Sequence, residues 1–377
     1  KSSTKGQKIL LSLDINIQKF IHEKLLENRS GSIVVMNVNS GEVLGMLSLP
    51  DFNPNKLINK PNEEYWKNIL ENELAPLSNR AIQGLYAPGS TFKMIVALAA
   101  LEKQVIDKNF NIYCEGKIEF GDRLYHCWKK EGHGKVNLLK GIKESCDCYF
   151  YELAKLVGIN DISKMAYKFG LGQRTKIELP SESSGIVPSI KWKKEKLKES
   201  WYAGETLITG IGQGYILTTP LQLATMTSII ANGGKLIQPT LIKKYYNNEN
   251  IKDLKKYKKI DINDSNLELI KDAMKKVVNE PNGTAFKIKN NSDKYILAGK
   301  TGTSQVKRIT LTERESEDFR KKFIEWKNRD HGLFVGYMPA NKPKFAVCVV
   351  VEHGGSGSKS AAPIAKEIFN KLYQLNI

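Results

Sequence analysis

The chain has 377 residues, with 58 Lys and Arg against 40 Asp and Glu, and a formal net charge of +18. That length allows two or three lobes or one elaborated domain. A hydrophobic share of 41% with 9% aromatic residues excludes wholesale disorder. The longest uncharged apolar stretch, Met94 to Leu101, is eight residues, far short of the roughly 20 that cross a bilayer. No signal-peptide pattern opens the chain. The positive charge suggests a polyanion partner, yet only eight of the 58 basic residues are Arg, the fork that phosphates and guanine prefer. A surplus of Lys, Asn and Ile is also what AT-rich coding produces, so no nucleic-acid partner is expected.

In chain order, KILLSL (Lys8 to Leu13) reads as a strand. Asp14 then caps a helix to about Asn28, with Ile17, Phe20, Ile21 and Leu25 at core spacing. SIVVMNV, a turn at Asn39 to Gly41, and EVLGMLSL read as a hairpin. The middle of the chain is mostly helical. Lys191 to Lys198, Lys243 to Asp264 and Lys307 to Asp330 read as solvated charged stretches. Near the end, Tyr295 to Val306, Gly332 to Met338 and Lys344 to Glu352 are strands, and a helix runs from about Ala361 to Tyr373. Glu352 to Pro363 lacks the Walker pattern and reads as a strand-to-helix turn; Cys348 reads as a core thiol, and His331 and His353 as packed or solvated side chains. Strands contributed by both ends of the chain predict one sheet in an α/β (α+β) fold, flanked by helices, with a helical region inserted. Residues 1–55 and 290–377 would form the sheet lobe and 56–289 the mostly helical lobe.

Three short segments carry chemistry. In YAPGSTFKMIVALAALEK, Pro88-Gly89 breaks the chain and an apolar helix follows from about Thr91. Ser90 therefore sits at a helix start, where free N–H groups favour developing negative charge. Lys93 lies three residues on, on the same face. A serine hydroxyl needs an adjacent base, and a lysine serves if burial or another cation depresses its pKa. Ser-x-x-Lys alone recurs at Ser2 to Lys5 and Ser356 to Lys359. Only the Ser90 match is followed, in order, by Ser145-Cys146-Asp147 at the start of a helix and Lys300-Thr301-Gly302-Thr303 on a strand. This triple pattern resembles the S-x-x-K, S-D-N and K-T-G signature of serine acyl enzymes that react with penicillin, with Ser-Cys-Asp in the second place.

Four of the five cysteines fall between residues 114 and 148. The spacing Cys114-x12-Cys127-x5-His133-x12-Cys146 offers three thiolates and an imidazole, with His126 and Cys148 as neighbours. Three sulfurs and a nitrogen are a four-coordinate zinc set. A disulfide between Cys114 and Cys127, with the other thiols buried, is the competing reading.

With YAPGSTFK (Tyr86 to Lys93), SCDCYFYELA (Ser145 to Ala154), IGQGYILTTPLQLA (Ile211 to Ala224), AGKTGTSQV (Ala298 to Val306) and DHGLFVGYMP (Asp330 to Pro339), essentially the whole chain resembles the penicillin-binding serine transpeptidases. Asp147, where many relatives carry Asn, makes it similar to the penicillin-binding protein 2 branch, the class B enzymes of cell elongation. The resemblance implies the penicillin-binding and serine β-lactamase-like fold, with a five-stranded, mainly antiparallel sheet. It implies acyl transfer: Ser90 attacks the penultimate D-alanine carbonyl of a peptidoglycan stem peptide, Lys93 takes its proton, and Ser145 relays it to the leaving D-alanine. The Ser90 and Thr303 N–H groups would form the oxyanion hole. Lys300, Thr301 and Thr303, around Gly302, would hold the substrate carboxylate, and Asp147 would orient Lys93 or contact the stem peptide. β-Lactam antibiotics would acylate Ser90 and stay.

The same resemblance implies no cofactor for the chemistry and a structural Zn2+ on Cys114, Cys127, His133 and Cys146, tying this segment to Ser145; relatives can carry Asp at the first two positions. It further implies a monomeric periplasmic transpeptidase domain of a single-pass inner-membrane protein, lacking the membrane anchor and pedestal such proteins carry. The partner would be a SEDS-type membrane glycosyltransferase. A D,D-carboxypeptidase or serine β-lactamase is the alternative among enzymes, although no Glu can be placed as a deacylating base. A non-catalytic β-lactam sensor or assembly scaffold is the alternative of another class.

Overall fold

The computed structural model describes residues 6, 8–58, 62–245, 258–290, 295–307 and 324–375. Ile33, Val34, Val35 and Met36 of the strand Gly31–Asn37 are all fully buried, so both faces of this strand are covered. Val43–Leu49 pairs on one side and Phe345–Val351 on the other; His331–Met338 follows, and Ala298–Ser304 forms the far edge. Every pairing in this five-stranded sheet is antiparallel. The register sets Lys300 opposite Val335 and Thr303 opposite Gly332.

Helices close both faces because each brings an apolar stripe or an apolar whole. Ile15–Leu25 buries Ile17, Ile21 and Leu25, starts at Asp14, whose carboxylate accepts from the amides of Asn16 and Ile17, and packs beside Ala361–Gln374. The other face takes Pro220–Ala231, every residue of which is buried. Thr219 and Gln222 form a capping box there, with Pro220 at the first helical position. Thr225, Thr227 and Ser228 satisfy their hydroxyls on the carbonyls of Leu221, Leu223 and Ala224 one turn back.

Several elements differ from the sequence expectation. Ile9–Leu11 is a strand but stays outside the main sheet, pairing with Ile242–Tyr245 at an exposed site. The stretch from Lys243 therefore opens inside a strand; its residues 246–257 lie outside the described residues, as do 308–323 of the Lys307 stretch and the Ser2 to Lys5 match. The mostly helical middle region also holds short strands that the sequence does not announce. Asn111–Cys114 pairs with Gly134–Asn137, and Lys117–Phe120 with Arg123–His126. Strands of four residues, mostly exposed or half-buried, are too short and too polar to display a period-two pattern. The charged stretch Lys191 to Lys198 is the helix Ile190–Lys196, and one of its lysines is not solvated. Lys193 is fully buried, 2.5 Å from Glu205 and over the rings of Tyr202 and Tyr215.

Candidate active site

The segment preceding Ser90 is pinned from three sides. Tyr86 exchanges backbone hydrogen bonds with Thr218 at 2.8 and 3.0 Å, and its hydroxyl donates to Glu352 at 2.6 Å. Arg80 also reaches Glu352, at 3.1 Å. Gly89 has φ +54° and donates to the Gly212 carbonyl at 2.8 Å. A Cβ on Gly89 would stand 2.5 Å from the Thr303 carbonyl oxygen, so glycine alone lets the turn approach the edge strand this closely. Ser90 lies in the 3₁₀ turn Gly89–Phe92, half-buried, and that turn runs directly into the helix Lys93–Glu102. The sequence places the helix start near Thr91; the first turn is the tighter helix, and the α-helix proper begins at Lys93.

Ser145 arrives from a different element. The helix Leu138–Lys143 ends, Ser145 adopts φ +58°, and Cys146 turns extended to open the helix Asp147–Val157. This reversal sets the Ser145 hydroxyl between two lysines. Lys93 Nζ lies 3.2 Å from it and Lys300 Nζ 3.0 Å from it. Both lysines are fully buried. Lys93 also donates to the Ser145 carbonyl at 2.9 Å and to Asp147 Oδ1 at 2.7 Å. Lys300 donates further to the Thr301 carbonyl at 3.0 Å. Burial, reinforced by the positive charge of Lys93, pushes the Lys300 ammonium well below the usual lysine value, with the Asp147 carboxylate opposing.

Lys300, Thr301, Gly302 and Thr303 all lie on the edge strand facing the Ser90 turn. A Cβ on Gly302 would meet the Thr91 methyl at 2.9 Å and the Pro88 carbonyl at 3.0 Å. The structure therefore brings the three sequence segments together, with Ser90 and Thr303 flanking one contact between turn and strand.

The cysteine cluster is assembled beside them. The ligand atoms of Cys114, Cys127, His133 and Cys146 all lie within 4.8 Å of one another, and all four residues are buried. His133 Nδ1 is 3.7 Å from Cys114 Sγ and 3.5 Å from Cys127 Sγ. Bond lengths of about 2.3 Å for zinc–sulfur and 2.0–2.1 Å for zinc–nitrogen give a tetrahedral sulfur–nitrogen edge of about 3.6 Å, so the donor set has the size for such an ion. All five cysteines are free thiols; the Cys114–Cys127 disulfide is not present. His126 and Cys148, read as neighbours, stay outside the set of four, and Cys348 is a fully buried thiol in the sheet.

Sequence reasoning misses three residues here. The Trp128 amide donates to Asp147 Oδ2 at 2.9 Å, and its indole N–H to the carbonyls of Glu144 and Ser145 at 3.1 and 3.0 Å. Gln213, inside the IGQGY segment, donates to the Thr303 carbonyl at 2.9 Å. Thr284 meets the Thr301 hydroxyl at 2.8 Å. Trp128 carries one sequence signal, its place next to Cys127; Thr284 carries none.

A five-stranded antiparallel sheet whose edge strand packs on a Ser-x-x-Lys helix start is the arrangement of the penicillin-binding and serine β-lactamase-like fold. The chain belongs to the penicillin-binding protein transpeptidase domain family, whose description matches residues 31–370. It is 38% identical to the peptidoglycan D,D-transpeptidase MrdA of Acinetobacter baumannii, across 98% of this chain and 54% of that protein. With MrdA of Escherichia coli K12 it shares 35% identity, across 93% of this chain and 56% of the relative. The chain thus spans little more than half the length of the curated relatives it matches. Among solved structures, Pseudomonas aeruginosa PBP2 in complex with WCK 5153 superposes with a TM-score of 0.87 at 36% identity, covering 97% of this chain and 78% of that one. Helicobacter pylori PBP2 in complex with MreC also gives 0.87 at 36% identity, covering 97% of this chain and 64% of the other.

Proposed function

We propose that this chain is the catalytic part of a peptidoglycan D,D-transpeptidase of cell elongation and a covalent target of β-lactams. The observation that carries the reading is the pair of fully buried lysines, Lys93 and Lys300, whose Nζ atoms both reach the Ser145 hydroxyl, Lys300 from the strand that packs against the Ser90 turn. Two cations sharing one hydroxyl in a site closed to water favour loss of a proton, which a serine nucleophile requires. Lys93 rests as the ammonium of an ion pair with Asp147; once that ammonium has shed a proton, the amine takes the Ser90 proton as Oγ bonds to the penultimate D-alanine carbonyl carbon. The oxyanion is held by the Ser90 and Thr303 N–H groups. Collapse breaks the peptide C–N bond, and the proton passes through Ser145 to the departing D-alanine. An amine of a second stem peptide then displaces Ser90, which recovers its proton. Lys300, Thr301 and Thr303 hold the terminal carboxylate, with Gly302 leaving room for the turn, and Asp147 holds Lys93 in place.

No cofactor takes part in this chemistry. Cys114, Cys127, His133 and Cys146 fit a structural zinc ion, with all four positions filled by protein. Their contribution to the site is mechanical: Cys127 Sγ accepts from the Asp147 amide at 3.4 Å, and Cys146 lies between Ser145 and Asp147. The whole chain is proposed as one transpeptidase domain, with a sheet lobe from residues 1–55 and 290–377 and a mostly helical lobe between. Among the described residues no helix is long and apolar enough to cross a membrane. The intact protein is proposed as a single-pass inner-membrane protein with this part in the periplasm. Its partner is proposed as a SEDS-type membrane glycosyltransferase in an elongation assembly, a setting supported by the relative of Helicobacter pylori bound to MreC.

The reading is tested with a D-Ala-D-Ala stem peptide and an amine acceptor, following released D-alanine and the product by mass spectrometry. Amide product formed in an acceptor-dependent way supports it. Hydrolysed stem peptide alone places the chain among carboxypeptidases, and rapid turnover of penicillin places it among β-lactamases. No turnover of the peptide with stable drug binding leaves a sensor or scaffold.

A further inference from the structure

Thr301 has a partner that the mechanism above does not use. Its hydroxyl donates to that of Thr284 at 2.8 Å. The Thr284 amide donates at 3.1 Å to the carbonyl of Lys143, two residues before Ser145. The loop carrying Thr284 has little freedom. A Cβ on Gly283 would stand 2.3 Å from the Val277 carbonyl, to which Ala285 donates at 3.1 Å. The preceding Glu280 is within 3.4 Å of Lys143. Thr284 thus bridges the strand of Lys300–Thr303 to the segment that presents Ser145.

A hydroxyl has one proton to give, and a carboxylate can only accept. Resting on the reading that Thr301 binds the substrate carboxylate, the Thr301 proton is committed to that carboxylate. Its contact with Thr284 then survives only if this bond reverses, with Thr284 as donor. We propose that Thr284 is a positioning residue that sets this direction, Thr284 O–H to Thr301 O–H to carboxylate, and so makes the site prefer an anionic terminus over a neutral one. Each bond in such a chain polarises the next, which strengthens the last bond when its acceptor is charged. Thr301 is itself buried, with 7% of its surface exposed, so few competing donors from solvent reach it.

The test compares acylation by benzylpenicillin, which carries a carboxylate, with acylation by its methyl ester. Second-order rate constants are measured on the full chain and on Thr284→Val, Thr284→Ser and Thr301→Val. Their ratio within one variant is independent of the fraction of folded protein. The ratio is expected to fall about threefold to fivefold in Thr284→Val, the worth of one hydrogen bond between neutral hydroxyls, and to stay near wild type in Thr284→Ser. An unchanged ratio in Thr284→Val, with a fallen ratio in Thr301→Val, overturns the role of Thr284 alone. An unchanged ratio in Thr301→Val overturns the carboxylate reading beneath it.

Discussion

Lys93 Nζ lies 2.7 Å from Asp147 Oδ1, and the lysine is fully buried while the carboxylate keeps 13% of its side-chain surface. The other oxygen of Asp147 accepts from the Trp128 amide at 2.9 Å. One carboxylate therefore fixes the general base of the proposed reaction to the strand-rich segment that carries the thiols. Asp147 stands at the first position of its helix, where the dipole favours a negative charge.

Removing this carboxylate leaves a buried ammonium without a counter-charge, which costs about 3–5 kcal/mol. Asp147→Ala should lower folding stability by roughly that amount. Asp147→Asn should lose less, since the amide oxygen still accepts from Lys93 or Trp128. Chemical denaturation of the three proteins side by side measures the order; equal stability of the Ala variant and wild type contradicts it.

Lys300 gives stability a pH dependence of definite sign. Its ammonium is held well below 10.5 in the folded chain, so between the folded and unfolded values the unfolded chain binds more protons. Stability from this residue therefore rises with pH through that window and is lowest below the folded pKa. Lys300→Met, which removes the buried amine, should flatten that part of the curve and raise the denaturation midpoint near neutrality. It should also abolish acylation. A midpoint in Lys300→Met that is lower than wild type at every pH is the contrary outcome.

Gly89→Ala puts a methyl 2.5 Å from the Thr303 carbonyl at a φ of +54°. Either the Ser90 turn or the edge strand has to move, and the two N–H groups proposed for the oxyanion hole separate. Losing one such donor costs about 10²–10³ in rate; acylation by a penicillin should fall by about that factor. Stopped-flow kinetics with a fluorescent penicillin reads it. Wild-type rates in Gly89→Ala would show that the closeness is incidental.

The cysteine cluster predicts metal. Elemental analysis of protein purified without added zinc should give close to one zinc per chain. Cys127→Ser and Cys146→Ser should empty the site and slow acylation, because Cys127 receives the Asp147 amide and Cys146 adjoins Ser145. A metal content near zero in wild-type protein with intact acylation contradicts this assignment.

The three segments proposed to carry the chemistry are legible in the sequence because each is local. A chain break before an apolar helix, a serine beside a helix start, and a Lys-Thr-Gly run on a strand all leave short-range marks. Gly31–Asn37, Val43–Leu49 and Phe345–Val351 are legible for the same reason, being runs of mostly buried apolar residues. Trp128, Gln213 and Thr284 are not legible, since they act through tertiary contacts with Asp147, Thr303 and Thr301. The small strands between Asn111 and Asn137 escape because half their side chains face solvent and their order comes from the buried thiols they bring together. Lys193 escapes because its partners, Glu205, Tyr202 and Tyr215, follow it in later elements.

Covalent labelling by benzylpenicillin, read as intact mass, tests the central assignment most directly. The wild-type chain should gain the mass of one penicillin and keep it, peptide mapping should place the adduct on Ser90, and Ser90→Ala should gain nothing. An adduct that persists in Ser90→Ala, or a wild-type chain that never acquires one, contradicts the account.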